Sequence, residues 1–180
     1  PVSFNEKAVE MIKARKTPVQ SWFLDLNLVM GYWGQGAKRA YHHTAPINAL
    51  YALHESLLLL KEEGLENAWA RHRHHHNALK AGLEAMGLTL VVDEAIRLPQ
   101  LNAVAMSEGV DEAKIRSNLL SKHNLEIGAG LGKFAGKLWR IGLMGYAANE
   151  ANVRLCVASL GAELSSVAVG IAAIDDYYAS

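Results

Sequence analysis

The chain has 180 residues, half of them apolar and a fifth charged, with 18 acidic and 18 basic side chains. That length makes one ordinary domain, or one small domain with part of another. A net charge of zero argues against a polyanionic partner such as nucleic acid or an anionic membrane surface, the single cysteine, Cys156, excludes an internal disulfide, and no apolar run is long enough to span a bilayer.

No signal peptide opens the chain, and Tyr178-Ala179-Ser180 does not match a Ser-Lys-Leu tail, so a cytoplasmic protein is expected. Pro1 fits removal of an initiator methionine and a position inside a longer protein equally well.

Ser3-Phe4-Asn5-Glu6 has the form of a capping box and opens a predicted helix through Val9, Met11 and Ile12 to about Lys16, where Pro18 stops it. Ser21 to Trp33 (SWFLDLNLVMGYW) reads as a strand or irregular packed segment, followed by a loop with glycine at 31, 34 and 36. Thr44 as a cap and Pro46 in the first turn begin a helix with Leu50, Leu53, Leu57 and Leu60 at helical spacing, which Gly64 ends. A second helix runs from about Leu65 to Met86, closed by Gly87, with the stripe Trp69, His72, His76, Leu79, Leu83 and Met86.

After Gly87 the pattern changes. Leu88 to Val92 and Leu101 to Met106 read as strands, Asp111 caps a short helix with Ile115, Leu119 and Leu120, and Leu125 to Ile127 reads as a short strand. A glycine-rich loop and a strand from Leu138 to Ile141 follow, and Asn149 caps one long last helix with Val153, Cys156, Val157, Leu160, Leu164, Val167 and Ile171 on one face. This is an α+β pattern, a small sheet covered by helices. A boundary falls near Gly64: residues 1–64 lack a complete sheet, whereas residues 65–180 can close a small α/β domain.

Within GAGLGKFAGKLWRIGLMG (Gly128 to Gly145), Arg140 stands in an otherwise apolar strand. A lone cation there costs free energy unless an anion or hydrogen-bond partner meets it, and the planar guanidinium suits a carboxylate. Two readings stand: a carboxylate-binding residue, or a structural salt bridge to a neighbouring element. Tyr41-His42-His43-Thr44 directly precedes the Pro46 helix, so the Tyr41 and Thr44 hydroxyls could meet a phosphate at a helix start, or simply pack and cap. His72 and His76, within RHRHHH, are one turn apart, a zinc-chelating spacing, but no thiolate or second cluster accompanies them and both fall on the apolar stripe; no metal is assigned. Walker, Rossmann and Gly-x-Ser-x-Gly signatures are missing, and Lys133 and Lys137 read as solvated loop lysines.

Taken together, YHHTAPINALYALHESLLLLKEEGLENAWARHR and NLEIGAGLGKFAGKLWRIGLMG closely resemble the class V branch of pyridoxal-phosphate aminotransferases, among them alanine–glyoxylate, serine–glyoxylate and serine–pyruvate aminotransferases. The resemblance covers essentially the whole chain and implies the carboxy-terminal part of the aspartate-aminotransferase-like fold (fold type I), with residues 1–64 ending a large cofactor-binding domain and residues 65–180 forming the small domain. It implies that Arg140 grips the α-carboxylate of the amino acid or 2-oxo acid. It implies that Tyr41 and Thr44 reach across a homodimer interface to the phosphate of pyridoxal 5′-phosphate. The family's Ser-Gly-x-x-Lys motif, whose lysine holds the cofactor as a Schiff base, does not occur here. No catalytic residue is therefore assigned, and the chain by itself is expected not to hold the cofactor covalently. Lys133 also stands where many relatives carry a smaller residue or proline.

The function implied is part of a transaminase moving an amino group from alanine or serine to glyoxylate or pyruvate. Ureidoglycine–glyoxylate transamination is the alternative within the class, and a non-catalytic dimerisation module is the alternative outside it.

Overall fold

In the computed structural model, residues 2–33, 40–107 and 109–180 are described. They fall into two compact units, residues 1–56 and 57–180. Gly34 and Gly36 of the expected loop lie outside the described residues.

The first unit holds α1 (Glu6–Lys13), α2 (Leu26–Trp33) and the start of α3 (Ile47–Glu63). The cap of α1 is Asn5, whose side chain accepts from the Ala8 N–H at 2.9 Å, so the helix opens two residues later than a Ser3 cap implies. It ends at Lys13, short of the expected Lys16. The segment read as strand or irregular structure contains α2 instead. LNLVMGYW is apolar but for Asn27, so it offers little helical period to read, and Gly31 lies inside the helix.

The second unit is a four-stranded antiparallel sheet with four helices. Its elements are α4 (Leu65–Ala85), β1 (Thr89–Leu90), β2 (Leu101–Ala105), α5 (Glu112–His123), β3 (Gly128–Ala129), β4 (Leu138–Gly142), α6 (Glu150–Leu164) and α7 (Val167–Ala179). The strand order is β1-β2-β4-β3. Asp111 and Asn149 cap α5 and α6 as expected, each accepting from the N–H three residues on. The strand placed at Leu125 to Ile127 lies instead at Gly128–Ala129, and the single last helix is two. A left-handed Ser165 (φ 57°) ends α6, and the Ser166 N–H returns to the Gly161 carbonyl at 2.8 Å.

Cross-strand partners share a face. Asn102 with Ile141, and Val104 with Trp139, form one wholly buried face. Leu79 and Leu83 of α4 and Val153, Val157 and Leu160 of α6 complete the same core, with each fully buried side chain contributing about 1.5–3 kcal/mol. Trp69 of the expected α4 stripe is 57% exposed, and Leu120 of α5 is exposed too. The opposite sheet face carries Ala103, Arg140 and Gly128 in a row across three strands.

Candidate functional site

Arg140 sits at the centre of β4, half-buried, with Ala103 of β2 on one side and Gly128 of β3 on the other. Its Nε donates to the Ala129 carbonyl at 2.7 Å. Among the described residues no carboxylate pairs with it. The loop that follows β3 is tight for an internal reason: a Cβ on Gly130 would lie 2.0 Å from the Phe134 carbonyl oxygen.

Behind Arg140 the strand is pinned from the helix side. Asn102 Nδ2 donates to the Ile141 carbonyl at 3.3 Å, and His76 Nδ1 donates to Asn102 Oδ1 at 2.7 Å. Burial, chiefly, pushes the His76 imidazole below its usual range, with Arg97 and Lys80 adding to the effect and the Asn102 hydrogen bond opposing it. The connector after β4 is latched to α4 as well. His72 Nε2 accepts the Gly145 N–H at 3.1 Å while its Nδ1 donates to the Ala68 carbonyl at 2.6 Å. Arg71 Nη1 donates to the Gly145 and Ala148 carbonyls, both at 2.9 Å, and the same guanidinium pairs with Glu63.

This use of RHRHHH is what the sequence did not disclose. The one-turn spacing of His72 and His76 serves two separate hydrogen-bond anchors, one under β4 and one under its exit loop. The readable signal was their place on the buried stripe, which demands that each ring nitrogen find a partner.

In the first unit the Tyr41 and Thr44 hydroxyls are hydrogen-bonded at 2.5 Å, and Tyr41 is 71% exposed. Thr44 makes no bond to a first-turn N–H of α3 among the described residues, so its hydroxyl is not spent on the cap. The turn is held by His42, which is buried: its Nε2 donates to the Trp22 carbonyl at 3.0 Å, its Nδ1 meets His43 Nδ1 at 2.8 Å, and the Trp22 ring packs on it at 4.0 Å. The fold thus brings Tyr41 and Thr44 together, and builds Arg140 with the β3 turn; the two groups belong to different units.

Among the described residues no helix is long and apolar enough to cross a membrane. Lys133 and Lys137 are exposed, and Lys133 lies over the Phe134 ring at 5.1 Å.

No family model matches the chain. It is 38% identical to the (S)-ureidoglycine–glyoxylate transaminase of Bacillus subtilis over 96% of this chain and 45% of that protein. It is 44% identical to the alanine–glyoxylate aminotransferase of Callithrix jacchus over 88% of this chain and 39% of that protein. Among solved structures, a Bacillus subtilis ureidoglycine–glyoxylate aminotransferase superposes with a TM-score of 0.88 at 38% identity, covering 99% of this chain and 47% of that one. A Nostoc alanine–glyoxylate aminotransferase superposes with a TM-score of 0.83 at 44% identity, covering 90% and 42%. The chain spans less than half the length of these relatives and corresponds to their carboxy-terminal portion. The α+β unit that carries Arg140, the β3 turn beside it and the agreement with both kinds of glyoxylate transaminase make this chain a member of the class V aminotransferases.

Proposed function

We propose that this chain forms the carboxy-terminal part of a pyridoxal-phosphate-dependent transaminase that moves an amino group from alanine or serine to glyoxylate or pyruvate. On this reading residues 1–64 end the large cofactor-binding domain and residues 65–180 are the small domain. The observation that carries the proposal is Arg140: a half-buried guanidinium with no carboxylate partner among the described residues, on a sheet face lined by alanine and glycine.

Such a group binds the α-carboxylate common to the amino acid and the 2-oxo acid, and so serves both half-reactions. Holding the carboxylate fixes the orientation of the bond to be broken at the neighbouring carbon, which is catalysis by positioning. Arg140 itself moves no proton.

The donor set of the first unit fits a phosphate. Tyr41 and Thr44 present paired hydroxyls, exposed, three residues or more before the first turn of α3. They would hold the cofactor phosphate of a partner subunit in a homodimer. The cofactor, when bound, supplies the electron sink for the transamination. The exposed apolar side chains of α3, Leu50, Tyr51, Leu53 and Leu57, support a homodimer contact.

A second reading of the substrate, ureidoglycine with glyoxylate, is favoured by the Bacillus subtilis relative, which matches nearly the whole chain. Arg140 would hold the same α-carboxylate in either case.

The test is Arg140→Ala in the transaminating enzyme. Loss of a charge-assisted pair costs about 1.5–3 kcal/mol, so KM for both amino acid and 2-oxo acid should rise roughly 10- to 150-fold with a smaller change in kcat. Wild-type KM for both substrates would overturn the assignment.

A further inference from the structure

We propose that Gly128 is a positioning residue for the carboxylate site: the side chain it lacks lets the Arg140 guanidinium lie beside β3 and turn its two Nη groups to an incoming carboxylate. The inference rests on the carboxylate reading of Arg140 and deepens it by assigning how the fork is presented.

Gly128 and Arg140 are cross-strand partners, so their side-chain positions share a face at close range. The Arg140 side chain leans toward β3, because its Nε donates to the Ala129 carbonyl at 2.7 Å. A Cβ on Gly128 would lie 3.2 Å from Nη2 and 3.4 Å from both Cβ and Cζ of Arg140. The Arg140 Cβ is fixed by the strand, so the guanidinium is the part that must yield. Gly128 is not among the glycines with positive φ, so its backbone accepts any residue and the requirement is steric.

The direction of approach follows. An arginine fork holds a carboxylate by its Nε–Nη2 edge or by its Nη1–Nη2 edge. The Ala129 carbonyl takes Nε, which leaves the two Nη groups. A side chain at 128 obliges Nη2 to give by a few tenths of an ångström, which bends the Nε bond and tilts the fork away from that approach. Ala103, the partner on the other side, adds only a methyl to the same face.

The test compares Gly128→Ala, Gly128→Val and Arg140→Ala in the transaminating enzyme, reading KM for amino acid and 2-oxo acid against kcat, with both Gly128 changes repeated on the Arg140→Ala background. Valine is at home in a short strand, so Gly128→Val need not disturb the fold. The expected result is a rise in KM of about threefold for Gly128→Ala and about tenfold or more for Gly128→Val, with kcat changed less, since small displacements of a positioning group are costly. Both effects vanish on the Arg140→Ala background, where no fork remains to be displaced. In nitrogen-15 spectra of the 180-residue chain, the Arg140 Nε–H resonance shifts in Gly128→Val as its bond to Ala129 is bent.

Unchanged KM in both Gly128 variants beside a raised KM in Arg140→Ala overturns the role of Gly128 and leaves the carboxylate reading standing. Equal effects with and without Arg140 also overturn it, since they report structure alone. Unchanged KM in Arg140→Ala removes the carboxylate reading, and this inference falls with it.

Discussion

His76 links the core to the strand that carries Arg140, and it does so as a neutral ring. Its Nδ1–H is given to Asn102 Oδ1 at 2.7 Å, and the side chain is 6% exposed. Burial depresses its affinity for a proton, with Arg97 and Lys80 adding to the effect. His75, lowered for the same first reason, acts in the same sense. The unfolded chain protonates these rings at about pH 6.5, while the folded chain resists. Between the depressed folded value and the unfolded one the unfolded state binds more protons, so stability is full above about pH 6.5 and falls as pH drops below it. The second unit should therefore unfold at lower urea at pH 5.5 than at pH 7.5, and His76→Gln should shrink that difference. An undiminished difference in the variant would place the acid sensitivity at other groups.

At the scale of elements, α4, α6 and α7 converge where side chains are smallest. A Cβ on Gly82 of α4 would lie 2.9 Å from Val157 Cγ2 and 3.0 Å from Ile174 Cγ1; one on Gly170 of α7 would lie 2.8 Å from Val157 Cγ1. Gly82→Ala sets two effects against each other. Alanine favours the helix by about 1 kcal/mol, whereas overpacking a filled core costs about 1–3 kcal/mol. The close atoms belong to β-branched side chains inside helices, which turn poorly, so packing should win and the urea midpoint should fall. In the Val157→Ala background the nearer clash partner is gone and only Ile174 remains, so the loss from the same change should shrink; equal losses in both backgrounds would assign the glycine to something other than close approach to Val157. These helices also show what sequence could and could not reveal. Asp111 and Asn149 announced α5 and α6 because a cap is a local chemical event. The break at Ser165 stayed hidden because Leu164, Val167 and Ile171 continue the apolar spacing across it, and serine at a left-handed position carries no glycine flag. Likewise β3 was read three residues early: its ladder is made by the backbone of Gly128 and Ala129, which offers no hydrophobic pattern. Arg140 stood out because a charge in an apolar run is costly; the steric demand at Gly128 depends on register, which only the fold supplies.

Over the whole molecule, the buried core belongs to one unit. Every side chain of the core cluster lies between Ala78 and Ile174, whereas His42 is the one buried residue among the described residues of the first unit. Besides the start of α3, that unit has two helices of eight residues each among its described residues, and it exposes Met11, Trp22, Phe23, Leu24 and Trp33. Helices that short are marginal in water without tertiary packing, and exposed apolar side chains of this size are ordinarily covered by further protein. The second unit closes its sheet and helices around a buried core of its own. Stability should then differ sharply along one chain. In the 180-residue chain, limited proteolysis should cut within the first unit and leave residues from about Leu57 onward resistant, and amide exchange should be slow in α4, α6 and β4 but fast in α1 and α2. In the transaminating enzyme the same first-unit amides should become protected, since the proposed large domain and partner subunit would cover them. Equal protection of both units in the 180-residue chain would show that the first unit finds its stability without that cover, and would count against its reading as the end of a larger domain.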